Sequence, residues 1–440
     1  MQNPIRLGIT VVASPLEVGA GQAPALLEQL RGCFASAEQL QLVCPSPPVT
    51  DAASAVQAGR QFYDQRVDAI CVVAASWFED YLVLDMLEEC SVPVVAWARP
   101  GMETGSLCGM QQLGLVLKQL GHSYCFLFDP VGTDIAVQRA AQFAAAAALR
   151  HRLRRSRIGY LGHRVEGMTE TTPHELALKK AFGCRVVGID TQVFLEQTAR
   201  VPATSVADRW QQMKAQVGRV TTTDAAGIES LQVYSALRQM IGEAGLSAVA
   251  VGCYPHLMGK VCLAASLLSE EGIPVACEGD VNGALGMLIL TSLTGQPVHN
   301  TDLLDPISED NAIVFSHCGS GGFSLASAPS EVMRAPVRLM ERGLCCLFLS
   351  RAGPVTLLNI VPTLQGYRMG AMYGLSLETD MVFPGNPLRV QFDIGFRRIL
   401  DWIIAEGLGH HWMAAYGDLR QPLQDLAAML DLSCAWPDHL

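Results

Sequence analysis

The chain has 440 residues, of which 50% are hydrophobic and 17% are charged. A chain of this length and composition can bury several cores, which excludes a largely disordered protein. Its formal net charge of −11 argues against a broad basic surface for nucleic acid or anionic membranes. The apolar stretches are all shorter than the roughly 20 residues of a membrane span, so none is expected.

The 14 cysteines are scattered, mostly inside apolar runs. They form no CxxC pair and no zinc-finger spacing, which is typical of small buried side chains in a reducing compartment. The sequence also opens without a signal-peptide pattern. We therefore expect a cytoplasmic protein.

The first 150 residues alternate short apolar runs with amphipathic stretches. Strands and helices in this order form right-handed crossovers, so they predict a parallel sheet. We expect a flavodoxin-like, Rossmann-like α/β domain over residues 1–150. Its predicted strands are 7–12, 40–44, 69–74, 92–98 and 123–128, its helices are 23–36, 52–65, 81–89 and 110–120, and a long helix follows at 135–153.

The same alternation restarts after this helix and predicts a second α/β domain over residues 151–300. Its strands are 157–161, 185–189, 248–252 and 274–277, and its helices are 173–182, 206–217, 225–243 and 257–270. Residues 301–440 are rich in β-type runs with interspersed glycine, which predicts a barrel-like or sandwich domain. These runs are 312–317, 343–350, 354–361, 365–379 and 387–392, followed by a helix at 394–406 and a final strand and helix.

Two carboxylates, Glu278 and Asp280, stand between a predicted strand and a predicted helix. On an extended segment they would lie on one side, and paired carboxylates can bind a hard divalent cation and transfer protons. Asp280 is equally typical of a helix N-cap. His256 occupies the corresponding strand end one crossover earlier, where a histidine can also be a cap.

Three further histidines stand at ends of predicted elements. His317 precedes a loop rich in glycine and serine, whose N–H groups could bind an oxyanion. The adjacent His410 and His411 follow a predicted helix, and on a strand only one of them would face a given site. One carboxylate with two or three histidines describes a metal site between domains, and mixed oxygen and nitrogen ligands suit Mn²⁺, Zn²⁺ or Co²⁺.

These clusters, in this order, resemble the L-fucose/L-arabinose isomerase superfamily, most closely its L-fucose isomerase-like branch. The resemblance is carried by the segments 276–290, 295–304 (taken as a loop), 317–326 and 409–418. It implies two α/β domains followed by a β-barrel-like domain. It also implies a ketol-isomerase that interconverts an aldose and a ketose through an ene-diol, using Mn²⁺ held by two carboxylates and a C-terminal histidine.

Carried over by residue, the resemblance makes Asp280 the second carboxylate ligand and His411, or else His410, the histidine ligand. His256 stands where the family has its first carboxylate, so Asp280 and His256 become the expected ligands and catalytic groups. One negative charge is then missing, so either Asp280 alone carries the mechanism or the substrate brings its own negative charge. The expected substrates are a deoxy-hexose, a pentose or a sulfonated hexose such as sulfoquinovose.

The remaining expected substrate-binding residues follow from the same resemblance. Arg164, His163 or another basic residue would hold a sulfonate, and His317 and His410 would line the sugar site. Trp77 matches an aromatic residue that packs on the sugar of a neighbouring subunit, although a buried loop tryptophan is an equal reading. The family is trimeric or hexameric, so a homo-oligomer with sites at subunit junctions is expected.

Two other functions compete with this hypothesis. A catalytically silent sugar-binding relative would explain His256 in place of a carboxylate. A periplasmic-type binding protein would also contain two α/β domains, but the β-rich domain and the missing signal-peptide pattern argue against it.

Overall fold

The computed structural model describes residues 4–35, 37, 39–216, 218–339 and 341–437. Two predicted helix ends, Ser36 and Val217, lie outside this part of the chain. The chain forms two compact units. The first comprises Met1–Arg152 and Gln421–Leu430, and the second comprises Leu153–Arg420 and Asp431–Leu440.

The first unit contains the predicted parallel sheet. Its strands lie in the order β2-β1-β3-β4-β5, which is the order of flavodoxin. The central strands β3 and β4 are buried at every residue, as expected for strands covered on both faces. The elements are β1 (Ile5–Val12), α1 (Ala23–Phe34), β2 (Leu40–Val43), α2 (Ala52–Asp64), β3 (Ala69–Ala74), α3 (Tyr81–Glu89), β4 (Val94–Ala98), α4 (Ser106–Gln119), β5 (Tyr124–Phe128) and α5 (Asp134–Leu153).

The second unit begins with another parallel sheet, in the order β10-β9-β6-β7. The sequence reading missed α7, and it placed the start of α10 too early because residues 254–260 form turns. The elements are β6 (Arg157–Leu161), α6 (Glu175–Phe182), β7 (Arg185–Ile189), α7 (Thr191–Arg200), α8 (Ala203–Ala215), β8 (Arg219–Val220), α9 (Asp224–Ala244), β9 (Ala248–Val251), α10 (Cys262–Glu270), β10 (Val275–Ala276) and α11 (Val281–Thr294).

Six later strands of the same unit close into an antiparallel barrel. They pair in the order β15-β18-β11-β12-β17-β16, and β16 pairs back to β15. The barrel-like expectation is therefore confirmed at the level of strand pairing. The elements are β11 (His299–Ile307), β12 (Ala312–Ser316), β13 (Met333–Val337), β14 (Arg342–Leu347), β15 (Gly353–Thr363), β16 (Gly366–Leu377), β17 (Leu388–Gln391), α12 (Phe396–Glu406), β18 (His411–Tyr416), α13 (Arg420–Met429) and β19 (Cys434–Ala435).

The compact units differ from the three expected domains. No boundary between units falls at residue 300, because β8 of the α/β part pairs with β13 of the β-rich part. Most of α13 belongs to the first unit rather than to the β-rich part. The division into domains 1–150, 151–300 and 301–440 stays a prediction.

Helix α11 lies at the centre of the second unit. Every residue from Val281 to Thr291 is buried, and a helix that is apolar all round belongs inside a core. Asp280 caps its first turn, and Gly295, with a φ of 68°, ends it. In the described part of the chain, none of the helices has the length and apolar character needed to span a bilayer.

A bidentate ion pair ties α13 into the first unit. Arg139 of α5 donates two hydrogen bonds, of 2.6 and 2.7 Å, to the two carboxylate oxygens of Asp425. The Asp425 side chain is buried, and this burial raises the pKa of its carboxyl group although the arginine opposes the change. Breaking such a pair leaves a buried charge without its partner.

We expect the Arg139→Met variant to lose about 3 kcal/mol of unfolding free energy in urea titrations, because Asp425 remains buried without a counter-ion. The matched control is Arg60→Met, which removes an exposed pair with Glu89 and should cost less than about 1 kcal/mol. Equal losses in the two variants would show that α13 is not held by this pair.

Candidate active site

Three loops meet at the carboxyl edge of the parallel sheet formed by β6, β9 and β10. A Cβ atom on Gly252, just after β9, would collide with the backbone of His163. A Cβ atom on Gly279, just after β10, would lie 2.7 Å from the His163 carbonyl oxygen. Only glycine at these two positions lets the loops touch, so the sequence itself brings the segment around residue 163 against the carboxylate segment.

Glu278 sits in a backbone conformation that side chains rarely adopt. Its φ is +60° and that of Gly279 is +71°, so two successive residues are left-handed. The N–H of Gly279 donates to the Val251 carbonyl at 2.9 Å, and the N–H of Val165 donates to the Glu278 carbonyl at 3.3 Å. Backbone strain of this kind is concentrated at functional sites, where surrounding contacts maintain it.

Asp280 combines both roles that its sequence position predicts. Its Oδ1 accepts a 2.8 Å hydrogen bond from the Gly283 N–H and so caps α11. Its Oδ2 lies 2.9 Å from Nδ1 of His411. A Cβ atom on Gly283 would lie 2.7 Å from the Met413 side chain, so glycine allows α11 to approach β18 closely enough for the second contact.

His411 is the centre of the cluster. Its side chain is 4% exposed, and its Nε2 lies 3.3 Å from Glu278 Oε2 and 3.4 Å from Asp302 Oδ1. Asp302 stands directly opposite His411 where β11 pairs with β18. The imidazole therefore has one carboxylate at Nδ1 and two at Nε2.

The charges in this cluster shift each other's ionisation. Burial alone would lower the pKa of His411, but its hydrogen bonds to Asp280 and Glu278 outweigh burial and raise the pKa to about 9. Burial would raise the pKa of Glu278, but the His411 hydrogen bond and the neighbouring histidines lower it below its usual value. The carboxylates of Asp280, Glu278 and Asp302 together carry more negative charge than one imidazolium can balance.

His317 completes the buried part of the cluster. It follows β12, and its Nε2 lies 3.8 Å from Asp302 Oδ1. Its ring centroid is 5.9 Å from that of His411. Burial opposes its protonation, yet the nearby Asp302 carboxylate raises its pKa well above the usual value.

The residues of this cluster fit a divalent cation. In the described residues, two sets have ligand atoms that all lie within 4.8 Å of one another: Glu278, His410 and His411, and Asp302, His317 and His411. Asp302 Oδ1 and both ring nitrogens of His317 are buried without a hydrogen-bond partner, which is costly unless something else binds them. Oxygen and nitrogen donors together suit Mn²⁺, Zn²⁺ or Co²⁺.

His410 lies at the exposed side of the cluster. Its ring centroid lies 4.2 Å from that of His411, with the two ring planes inclined by 46°, and its Nδ1 lies 2.7 Å from Glu170 Oε1. Both side chains are about half-exposed. His410 precedes β18, which begins at His411, so the alternation of side chains on a strand does not separate the two rings. Both histidines belong to one set of possible ligands with Glu278.

The structure does not bring every predicted residue to this cluster. His256 lies on an exposed turn after β9, and it belongs to neither set of possible ligands found in the described residues. The sequence predicts His256 at a helix start, whereas residues 254–260 form turns and α10 begins only at Cys262. Trp77 belongs to the first unit and is half-buried there.

The two residues expected to hold a sulfonate lie on the loop after β6. His163 is exposed and its Nδ1 donates to the Arg164 carbonyl at 2.8 Å. Arg164 is partly buried, and its guanidinium donates to the Val165 carbonyl at 3.0 Å. The backbone of this loop contacts Gly279, so both residues lie beside the carboxylate segment.

The sequence reading missed Asp302 and Glu170 as members of the cluster. The sequence predicts a loop over residues 295–304, whereas β11 begins at His299 and carries Asp302. On a strand, Asn300 and Asp302 share one face, which is the signal that could have found them. Glu170 lies on a single turn of 3-10 helix, Thr169–Thr171, and gives no comparable signal in the sequence.

No protein-family model matches the chain. Curated relatives named sulfoquinovose isomerase do match. The protein from Alkalicoccus urumqiensis is 26% identical over 376 residues, covering 83% of this chain and 85% of the relative. The protein from Priestia aryabhattai is 25% identical over 379 residues with the same coverage, and that from Clostridium sp. (strain MSTE9) is 26% identical over 360 residues, covering 78% and 80%.

Over most of its length the chain is similar to these sulfoquinovose isomerases, in agreement with the resemblance noted in the sequence. The cluster around His411 is therefore the candidate active site. Among solved structures, an ABC-transporter solute-binding protein from Burkholderia multivorans aligns with a TM-score of 0.21 and 14% identity, over 67% of this chain and 95% of that one. A solute-binding protein from Agrobacterium vitis with bound D-fucose has a TM-score of 0.17 and 15% identity, over 62% and 93%. TM-scores this low assign no fold.

The raised pKa of His411 predicts how the stability of the metal-free protein responds to pH. Its folded-state value of about 9 exceeds the ordinary value of 6.5, so protonated His411 stabilises the fold. This contribution is complete below pH 6.5 and is lost as the pH rises through about 9. Between these pH values, we expect the free energy of unfolding of the wild type to fall by about 3 kcal/mol more than that of His411→Gln. Urea titrations in the presence of EDTA measure this difference. If the free energies of unfolding of the two proteins changed equally with pH, the raised pKa of His411 would be contradicted.

Proposed function

We propose that this protein is a metal-dependent aldose–ketose isomerase that acts on sulfoquinovose. The observation that carries the proposal is the position of His411 Nε2, which faces Glu278 at 3.3 Å and Asp302 at 3.4 Å. The named activity of the relatives supports the substrate. An aldose–ketose isomerase needs carboxylates and a bound cation in one place, and the cluster offers both carboxylates and cation ligands.

The geometry favours a ligand set different from the one expected from the sequence. Glu278, Asp302 and His411 Nε2 would hold Mn²⁺, with His317 as a neighbouring donor. Asp280 would act at the other ring nitrogen, where a carboxylate that accepts the Nδ1–H fixes the ring orientation and strengthens Nε2 as a ligand. Asp280 is then a positioning residue, and Glu278 takes the ligand place that sequence reasoning gave to His256.

A cation bound there would polarise the carbonyl and hydroxyl oxygens of the sugar. The protein itself must take the proton from the carbon next to the carbonyl and return it to the neighbouring carbon. We infer that Asp302 is this base, because one of its carboxylate oxygens would bind the cation while the other keeps lone pairs for the proton, and no hydrogen bond engages its Oδ1. Both Asp280 oxygens are already engaged, which makes Asp280 less suited to the task.

Titration of EDTA-treated protein with Mn²⁺ by calorimetry tests this ligand set. Removing a ligand in Glu278→Gln or Asp302→Asn should weaken binding more than about 100-fold, whereas Asp280→Asn should weaken it about 10- to 100-fold. His256→Asn is the control and should bind Mn²⁺ like the wild type. If His256→Asn bound Mn²⁺ weakly and Asp302→Asn bound it normally, the ligand set expected from the sequence would be the correct one.

The activity itself is tested by following ketose formation from sulfoquinovose with Mn²⁺ and with EDTA. We expect turnover with Mn²⁺ and none with EDTA, and little turnover of D-glucose, which lacks the sulfonate. Tight binding of sulfoquinovose without turnover would instead identify a catalytically silent sugar-binding relative.

Arg164 is the proposed anchor for the sulfonate, because its guanidinium lies on the loop that contacts Gly279 beside Glu278. Losing a hydrogen bond to a charged group should raise the KM of Arg164→Gln for sulfoquinovose about tenfold or more. The control is Arg185→Gln, an exposed arginine at the start of β7, for which steady-state kinetics should show no change. An unchanged KM in Arg164→Gln would exclude this anchor.

Other features expected from the sequence or from the resemblance stay predictions. These are the trimeric or hexameric assembly, the role of Trp77 at a neighbouring subunit's sugar, and the cytoplasmic location. Substrate contacts by His163, His317 and His410 belong to the same group, although His317 and His410 already border the cluster.

A further inference from the structure

Asn300 is a buried amide whose hydrogen-bonding groups are all unused. Its side chain is 6% exposed, and neither Oδ1 nor Nδ2 has a partner. The carboxamide offers two donor hydrogens and two acceptor lone pairs. Leaving them unpaired in a protein interior destabilises the fold, so such a residue in a native protein requires an explanation.

The strand register shows which way this amide points. Asn300 lies opposite Met413, and Asp302 lies opposite His411, in the antiparallel pair of β11 and β18. Residues two apart on a strand share a face, and directly opposite residues share it as well. Asn300 therefore faces the same side of the barrel wall as Asp302 and His411, one step further along the strand.

A second buried asparagine shows what a purely structural amide looks like in this protein. Asn386 is 3% exposed, and its Oδ1 accepts from the Gly321 N–H at 3.0 Å. Its Nδ2 donates to the carbonyls of Cys346 at 2.8 Å and Gly385 at 3.2 Å. Asn386 is satisfied by the backbone around it, whereas Asn300 has no such partners.

We propose that Asn300 is a substrate-binding residue whose carboxamide hydrogen-bonds a hydroxyl group of the sugar next to Asp302. A hydroxyl group both donates and accepts, so it matches an amide that carries both functions. A site built to hydrogen-bond a hydroxyl also discriminates strongly against a ligand that lacks it, because its polar groups are then left unpaired. The inference rests on the proposed sugar isomerase function and adds a specificity-determining residue to it.

The test compares Asn300→Ala with Asn386→Ala in the full-length protein, using sulfoquinovose with Mn²⁺ as the probe. Without sugar, Asn300→Ala should melt within about 2 °C of the wild type or higher, because it removes no protein hydrogen bond. Asn386→Ala should melt about 5 °C lower or more, since it leaves backbone groups unpaired. The KM of Asn300→Ala should rise about tenfold, while Asn386→Ala keeps the wild-type KM in its folded fraction.

Three results would overturn the inference. A melting temperature of Asn300→Ala that falls as far as that of Asn386→Ala would show a structural role. An unchanged KM in Asn300→Ala would show that the amide binds only solvent. Absence of both sugar binding and turnover in the wild type would overturn the proposed function and this inference together, whereas an active wild type with an unchanged KM in Asn300→Ala would overturn the inference alone.

Discussion

The candidate active site depends on one buried imidazole held between carboxylates on both sides. Asp280 faces Nδ1 of His411 at 2.9 Å, and Glu278 and Asp302 face Nε2 at 3.3 and 3.4 Å. Without a cation the ring must be protonated to satisfy this environment, which is why its pKa rises to about 9. A divalent cation at Nε2 would replace that proton and balance the remaining negative charge.

Close backbone contacts make this arrangement possible. Glycines at 252 and 279 let the loops after β6, β9 and β10 touch, and glycine at 283 lets α11 approach β18. The carboxylates of residues 278 and 280 come from the sheet edge, while Asp302 and His411 come from paired barrel strands. The site therefore requires the α/β part and the barrel to fold together, in agreement with their presence in one compact unit.

Much of this could be predicted from the sequence, for identifiable physical reasons. The alternation of apolar runs and amphipathic stretches was sufficient for the parallel sheet of the first unit. Asp280 could be recognised because a carboxylate between a strand and a helix is typical either of a helix N-cap or of a cation ligand. His256 was assigned by spacing alone, and spacing could not show that residues 254–260 form turns instead of a helix start.

Other features depend on tertiary pairing that a single sequence does not display. Asp302 joins the site only because β11 pairs with β18 in one register, and Glu170 only because the 3-10 helix Thr169–Thr171 brings it to His410. The attachment of α13 to the first unit depends on an ion pair between residues 139 and 425, which are far apart in sequence.

The most direct measurement is an anomalous-scattering map from crystals grown with Mn²⁺. We expect one strong peak bonded to His411 Nε2 and to oxygens of Glu278 and Asp302, with the Asp280 carboxylate hydrogen-bonded to Nδ1. A peak bonded to His256, or a cluster that binds no cation at saturating Mn²⁺, would contradict this arrangement.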